Sequence, residues 1–198
     1  MTFDLVVQNI LQAKRIIIQG SSGAGKSTLA QELALLLQLP IVHMDKEFWQ
    51  PGWKRPNSDE WHQRQLEFIK RDKWIIEGGA YQRALPLRTQ ASDFVIYLDF
   101  NRFFCLYRCL KRYLTYRGKS RPDMAEGCFE QMDYAFVKWI IYEQPQITGP
   151  IALKTIKENI RHQNLIIFKN PSQIKKFLHE LHKSKNILHT DLERRINE

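Results

Sequence analysis

The sequence predicts an α/β fold, a parallel sheet with helices on both faces, and three observations point to it. Short apolar, β-branched runs alternate with amphipathic helical stretches along most of the chain, the signature of βαβ units. The first of these runs passes through a glycine-rich loop directly into a helix. With 9 Gly and 8 Pro in 198 residues, no internal repeat and no low-complexity linker, the chain reads as one domain able to bury a full core.

Residues 15–19 (RIIIQ) read as a short buried strand, and 26–38 as an amphipathic helix with Leu29, Leu33, Leu36 and Leu37 on one face. Residues 40–44 are a second strand. A capped helix beginning at Ser58 follows, with Asp59 and Glu60 in its first turn and Trp61, Leu66 and Ile69 as apolar positions. Strands at 73–77 and 94–99 come next, then a basic helix at 102–116 and, after the turn at Pro122, a helix at 126–142. Residues 150–162 read as helix, 165–169 as the fifth strand and 172–182 as the last helix. Residues 184–198 are polar and are expected to form a frayed tail behind a single domain spanning 1–183.

Charge narrows the function classes. The chain has 30 Lys+Arg against 21 Asp+Glu, a net +9, but the excess is local. Residues 1–101 are nearly neutral, whereas 102–121 hold Arg102, Arg108, Lys111, Arg112, Arg117, Lys119 and Arg121 with no acid. A block of this kind suggests a local anion site, while a nucleic-acid coat would be spread over a face. No stretch is long and apolar enough to span a membrane or to serve as a signal-peptide core. The three cysteines, Cys105, Cys109 and Cys128, have no CxxC spacing and indicate neither a disulfide framework nor a zinc site. The expected location is the cytoplasm.

The loop after the first strand reads Gly20-Ser21-Ser22-Gly23-Ala24-Gly25-Lys26-Ser27-Thr28. It fits G-x-x-x-x-G-K-[ST] in the strand–loop–helix setting that this phosphate-binding motif requires. Glycines let backbone amides curl around phosphates, and the helix N-terminus adds its positive end. Lys26 is placed to reach the β- and γ-phosphates of ATP, and Ser27 to coordinate Mg²⁺. The guanine-reading Asn/Thr-Lys-x-Asp of GTPases is missing near the fifth strand, where the chain reads Ile167-Phe-Lys-Asn-Pro171. Length and order of elements resemble the compact P-loop kinases. That likeness implies a nucleotide-kinase-like P-loop NTPase fold with three α/β/α layers and a five-stranded parallel sheet. It also implies a helical substrate insert, at about 46–72, and a short basic lid, at about 113–125.

The acceptor side has its own candidates. Asp45 follows the second strand, at the sheet edge where ligands of open α/β folds bind; a kinase acting on a hydroxyl needs a carboxylate there. Trp49 and Trp53, in Phe48-Trp-Gln-Pro-Gly-Trp53, are either a wall of the acceptor site or part of the insert's core. Glu77 ends the third strand, the position of a metal-side acid, with Asp99 as its competitor. Gly78 and Gly79 would let backbone amides approach a substrate anion. Arg88 suits an acceptor phosphate, though a plain surface arginine fits equally. Arg108 and Arg112, one helical turn apart, and Arg121 would neutralise charge on the transferring phosphoryl group. His43 reads as a hydrogen-bonded strand-end residue, and Cys105 and Cys109 as core thiols.

Together, Gly20–Ser27, His43-Met-Asp45-Lys46, Trp49, Pro51-Gly-Trp53, Trp74-Ile-Ile-Glu-Gly78, Tyr81, Arg88, Leu98-Asp99, Arg108 and Arg121-Pro-Asp-Met-Ala-Glu-Gly-Cys128 resemble the DNA-topology-modulation (flagellar-regulator-like) proteins. These are relatives of adenylate kinase, and the resemblance covers about residues 14–182. Two positions depart from that pattern: Glu77, where the family has Asp, and Gly79, where it has Asn. The expected function is an ATP- and Mg²⁺-dependent phosphotransferase acting on a small molecule, with a nucleotide and an unidentified acceptor as partners. Two alternatives stand beside it: a non-catalytic ATP-binding regulator acting on DNA topology through a basic surface, and a slow ATPase. Nucleic acid is the less favoured partner, and the sequence sets no oligomeric state.

Overall fold

A computed structural model describes residues 3–79, 82–161 and 164–196. Tyr81 and His162 lie outside the described residues. Five strands, β1 (Arg15–Gly20), β2 (Ile41–His43), β3 (Trp74–Glu77), β4 (Phe94–Leu98) and β5 (Leu165–Phe168), form one sheet in the order β2-β3-β1-β4-β5. All four pairings are parallel. The central strand is Ile16–Ile18 flanked by Ile75 and Ile76 on one side and Val95 and Ile96 on the other, and all seven side chains are inaccessible to solvent. A strand covered on both faces must be apolar throughout, which is why these runs do not alternate. The five-stranded parallel α/β architecture is the expected one.

Helices cover both faces. One layer packs α1 (Phe3–Gln12), α2 (Lys26–Leu37) and α9 (Pro171–Ile196) around Ile10, Leu33 and Phe177. The opposite core gathers α4 (Ser58–Lys70), α5 (Leu85–Ala91) and α8 (Gly149–Asn159) around Trp61, Trp74, Leu85 and Ile156. The remaining helices are α3 (Met44–Phe48), α6 (Arg102–Tyr116) and α7 (Tyr134–Lys138). Because β1 has β3 on one side and β4 on the other, the loop leaving β1 opens at a point where the chain turns both ways, the usual ligand crevice of such sheets.

Helix α4 begins at Ser58 as expected, and Asn57 caps it, its side chain accepting from the amides of Asp59 and Glu60. Several other expectations are corrected. Asp45 lies in the first turn of α3, because the second strand ends at His43. The helix expected at 126–142 starts only at Tyr134, where Asp133 caps it by accepting from the Phe136 amide at 2.7 Å. Before that point the chain is extended, pairing Ser120 with Phe129 and Arg117 with Glu130. Gly127 has φ +76°, a conformation that interrupts a helix and that other residues rarely adopt. Beyond Lys138 the chain does not break but continues into α8 through a π-helical stretch, Trp139–Thr148. Pro145 lies within it and has no N–H to give an α-helical bond, so the wider turns absorb it. Helix α9 runs on to Ile196, through the stretch expected to fray. Leu178 and Leu181 pack on the core ahead of that stretch, and at its start Lys185 donates to the Leu36 carbonyl at 2.5 Å.

Candidate active site

The phosphate loop sits at the mouth of a cleft of about 1060 Å³ at the carboxyl ends of the strands. Loop and α6 are in van der Waals contact. A Cβ at Gly23 (φ +79°) would meet the Cys105 carbonyl oxygen at 2.3 Å and the Cys109 sulfur at 2.9 Å, so that position admits only glycine. Cys105 and Cys109 are buried, and burial pushes the Cys105 thiol up to about 11; both are packing groups. Gly20, Ser22, Gly23, Gly25, Lys26, Ser27 and Thr28 line the cleft. Ser21 is buried and donates its hydroxyl to Gln144 at 2.7 Å, and Ala24 is buried beneath the loop. Lys26 Nζ rests on the Ser21 carbonyl at 3.1 Å.

Glu77, and not Asp99, reaches the loop serine. Glu77 Oε1 lies 3.1 Å from Ser27 Oγ and 2.8 Å from His43 Nδ1, whereas Asp99 pairs with Lys169 on the surface. The hydrogen bond from Glu77 raises the His43 imidazole above its ordinary value against the opposing effect of burial, and the charge of Asp123 adds to the rise. Burial pushes the Asp45 carboxyl up, with Lys26 working against it. Asp45 also lies within 3.8 Å of where a Gly78 side chain would begin. The Gly78 amide is not free for a substrate, since it donates to the Ile18 carbonyl at 3.2 Å. Gly79, next along, lines the cleft.

The aromatic segment divides between the two expected roles. Phe48 is buried, in edge contact with Trp61 at 5.2 Å between centroids. Trp49 and Trp53 line the cleft, 5.3 Å apart, with Arg55 lying over Trp49. Of the seven basic residues in 102–121, Arg108, Lys111, Arg112 and Arg121 line the cleft. Arg108 lies directly on the phosphate loop, 3.4 Å from the Ala24 carbonyl. Arg112 and Arg121 grip Glu130 between them, at 2.6 and 2.9 Å. Arg88 is not on the surface. It is 1% exposed, and none of its three guanidinium nitrogens has a hydrogen-bond partner among the described residues; burial lowers its pKa to about 10.

Three residues brought here by the fold, Asp123, Glu130 and Gln144, were not predicted from the sequence. Asp123 Oδ2 lies 2.7 Å from Ser27 Oγ, a lid carboxylate against the phosphate loop. Burial alone would raise that carboxyl, but the charge of Arg121, the Ser27 hydroxyl and the charge of His43 outweigh it and hold Asp123 below the usual carboxylate range. The one available signal was an acid following a twenty-residue block that holds seven bases and no acid. The 122–129 segment also bonds to the 46–53 segment: Gly52 N–H to the Gly127 carbonyl at 3.1 Å, Trp53 Nε1 to the Phe129 carbonyl at 2.9 Å, and Lys46 Nζ to the Pro122 carbonyl at 3.2 Å.

No family model and no curated protein matches the chain, but solved structures do. A shikimate kinase from Acinetobacter baumannii, in complex with shikimate, superposes with a TM-score of 0.56 over 93% of this chain and 98% of that one, at 18% identity. The chain has the P-loop kinase fold. A gluconokinase from Sinorhizobium meliloti (TM-score 0.48, 14% identity, 92% and 97% covered) and a deoxyadenosine kinase from M. mycoides with bound dATP (0.45, 16%, 87% and 99%) are also similar. Among the described residues no helix is long and apolar enough to cross a membrane. No group of three or more His, Cys, Asp or Glu among them is arranged to hold a metal ion alone. The Ser27 hydroxyl and the Glu77 and Asp123 carboxylates are hard oxygen donors, which fits Mg²⁺ held largely through water and phosphate oxygens.

Proposed function

We propose that the chain is an ATP- and Mg²⁺-dependent phosphotransferase of the nucleotide-kinase type, acting on a small molecule in the cytoplasm, and that it belongs with the topology-modulation proteins it resembles. The observation that carries this reading is the convergence of Lys26, Arg108 and Asp45 with the phosphate loop on one cleft. Loop amides would hold the β-phosphate, and Lys26 would leave the Ser21 carbonyl for the γ-phosphate. Arg108 and Arg112 would balance charge as the acceptor oxygen attacks the γ-phosphorus and the bond to the β–γ bridging oxygen breaks, ADP leaving with the electron pair. Asp45 would orient the acceptor oxygen and, on an acceptor that reacts through a hydroxyl, take its proton. When bound, Mg²⁺ would neutralise the β- and γ-oxygens, with Ser27 and Glu77 on its side of the cleft. The basic block supports this reading over a DNA surface, because four of its seven charges turn into the cleft.

Arg88 extends the reading to the acceptor. A buried guanidinium with no partner is costly unless an anion completes it, and we assign it to an anionic group on the acceptor, such as a phosphate. Arg88→Met should then raise the melting temperature of the ligand-free protein. The same change should weaken binding of nucleoside monophosphates by about 10- to 100-fold, the range expected for losing a charge-assisted hydrogen bond, while nucleosides bind as before. Calorimetric titration and thermal melts of both proteins check this. A lower melting temperature with unchanged monophosphate affinity would make Arg88 a structural residue. Mg²⁺-dependent ATP binding that disappears in Lys26→Ala is the matching test on the nucleotide side.

A further inference from the structure

We infer that Asp123 is a positioning residue for the nucleotide's Mg²⁺, a carboxylate carried to the metal side of the site by the lid, so that lid closure and divalent-cation binding are coupled. The inference rests on the reading of the chain as a Mg²⁺-dependent kinase. Ser27 Oγ has a single proton and two carboxylate oxygens beside it, Asp123 Oδ2 at 2.7 Å and Glu77 Oε1 at 3.1 Å. Glu77 Oε1 is already met by His43 at 2.8 Å, so the proton belongs to the nearer Asp123. The neighbouring cation, Arg121, stands 3.6 Å from Asp123, while its Nε is 2.9 Å from Glu130.

A lid bearing only arginines would be drawn onto a triphosphate by charge alone. This lid instead presents a carboxylate to the serine that flanks the β- and γ-phosphates. With nucleotide bound, that contact is repulsive unless a cation stands between the two anions. With the cation bound, the Ser27 oxygen would serve it and Asp123 would help hold it through water, as outer-shell carboxylates do. A simple latch differs in what it requires. Ser27 needs only a hydrogen-bond acceptor, which asparagine supplies at the same shape.

The test measures AMP-PNP binding by calorimetry, with Mg²⁺ and with EDTA, in the wild type, Asp123→Asn and Asp123→Glu. Mn²⁺ affinity is read by electron paramagnetic resonance on the same proteins with AMP-PNP present. In Asp123→Asn the tightening of AMP-PNP by Mg²⁺ should shrink about tenfold, with a similar loss of Mn²⁺ affinity. Metal-free AMP-PNP should bind as well or better, because a like charge has gone, and Asp123→Glu should recover part of the metal effect. Wild-type metal enhancement and Mn²⁺ affinity in Asp123→Asn would overturn the inference and leave the kinase reading standing. A wild-type protein whose nucleotide binding ignores Mg²⁺ would overturn both.

Discussion

Asp45→Asn should lower turnover about 10²- to 10⁴-fold, the span that a positioned general base supplies, while Mg·ATP affinity changes little. Asparagine keeps the shape of the side chain and can still orient a hydroxyl, but it cannot accept the proton. The same substitution should stabilise the fold. Burial raises the Asp45 carboxyl above its ordinary value of 3.8, so the folded state favours the protonated form. Its favourable contribution is complete below the unfolded value and is lost as pH rises through the folded one. That contribution is diminished above the unfolded value, so Asp45→Asn should melt at a higher temperature than the wild type, with the gap closing as pH falls. The wild-type rate should rise with pH as Asp45 ionises, and that limb should vanish in the variant. Paired pH–rate and thermal-melt series measure all of this. A variant with near-normal turnover would remove Asp45 from the mechanism.

Glu130→Ala should be the most damaging single change in the lid. The Glu130 side chain is 3% exposed and bridges Arg112 and Arg121, so its loss leaves two guanidinium groups facing each other. Breaking a buried pair costs about 3–5 kcal/mol, and the lower end applies because Arg112 keeps 22% of its surface and can partly rehydrate. In a chain of this size about 3 kcal/mol corresponds to a drop of roughly 6–12 °C in melting temperature. Adding Arg112→Ala should restore part of the loss, since it removes one of the stranded charges. A melting temperature within 2 °C or so of wild type would show that the Arg112–Glu130–Arg121 cluster is solvated in solution.

What could be read from the sequence was what neighbouring residues encode together. The phosphate loop, the five apolar strands and the Asp45 and Glu77 positions at strand ends all depend on residues adjacent in the chain. Lys26, Arg108 and Asp45 could therefore be named as one site before their distances were known. The contacts that the lid segment and the residues after it make could not be read in this way. Asp123 meets Ser27 across 96 positions and Glu130 meets Arg112 across 18, and no local pattern marks either contact. The stretch from Glu126 has helical composition, yet Gly127 and the Ser120–Phe129 pairing hold it extended. In the sequence pattern one helix ends at Tyr142 and the next starts at Pro150, whereas a π-helical stretch that contains Pro145 joins them. Helix α1 also went unread. Val6, Val7 and Ile10 bury completely or nearly so against the α9 layer, but a ten-residue helix is marginal until a partner helix is known. For Arg88 the sequence left an acceptor-phosphate role and a plain surface position equally open, and burial removes the second.

The central claim is that this cleft moves a phosphoryl group, and transfer from γ-labelled ATP tests it most directly. The wild-type protein and Lys26→Ala would be incubated with Mg²⁺ and a panel of nucleosides, nucleoside monophosphates and polyol metabolites. The account predicts label on an acceptor of one class, an equal amount of ADP, and a rate at least about 100-fold lower in Lys26→Ala, as expected for removing one charge-stabilising group. No acceptor labelled above the Lys26→Ala background, together with salt-sensitive binding to duplex DNA, would contradict it and leave a nucleotide-binding regulator in its place.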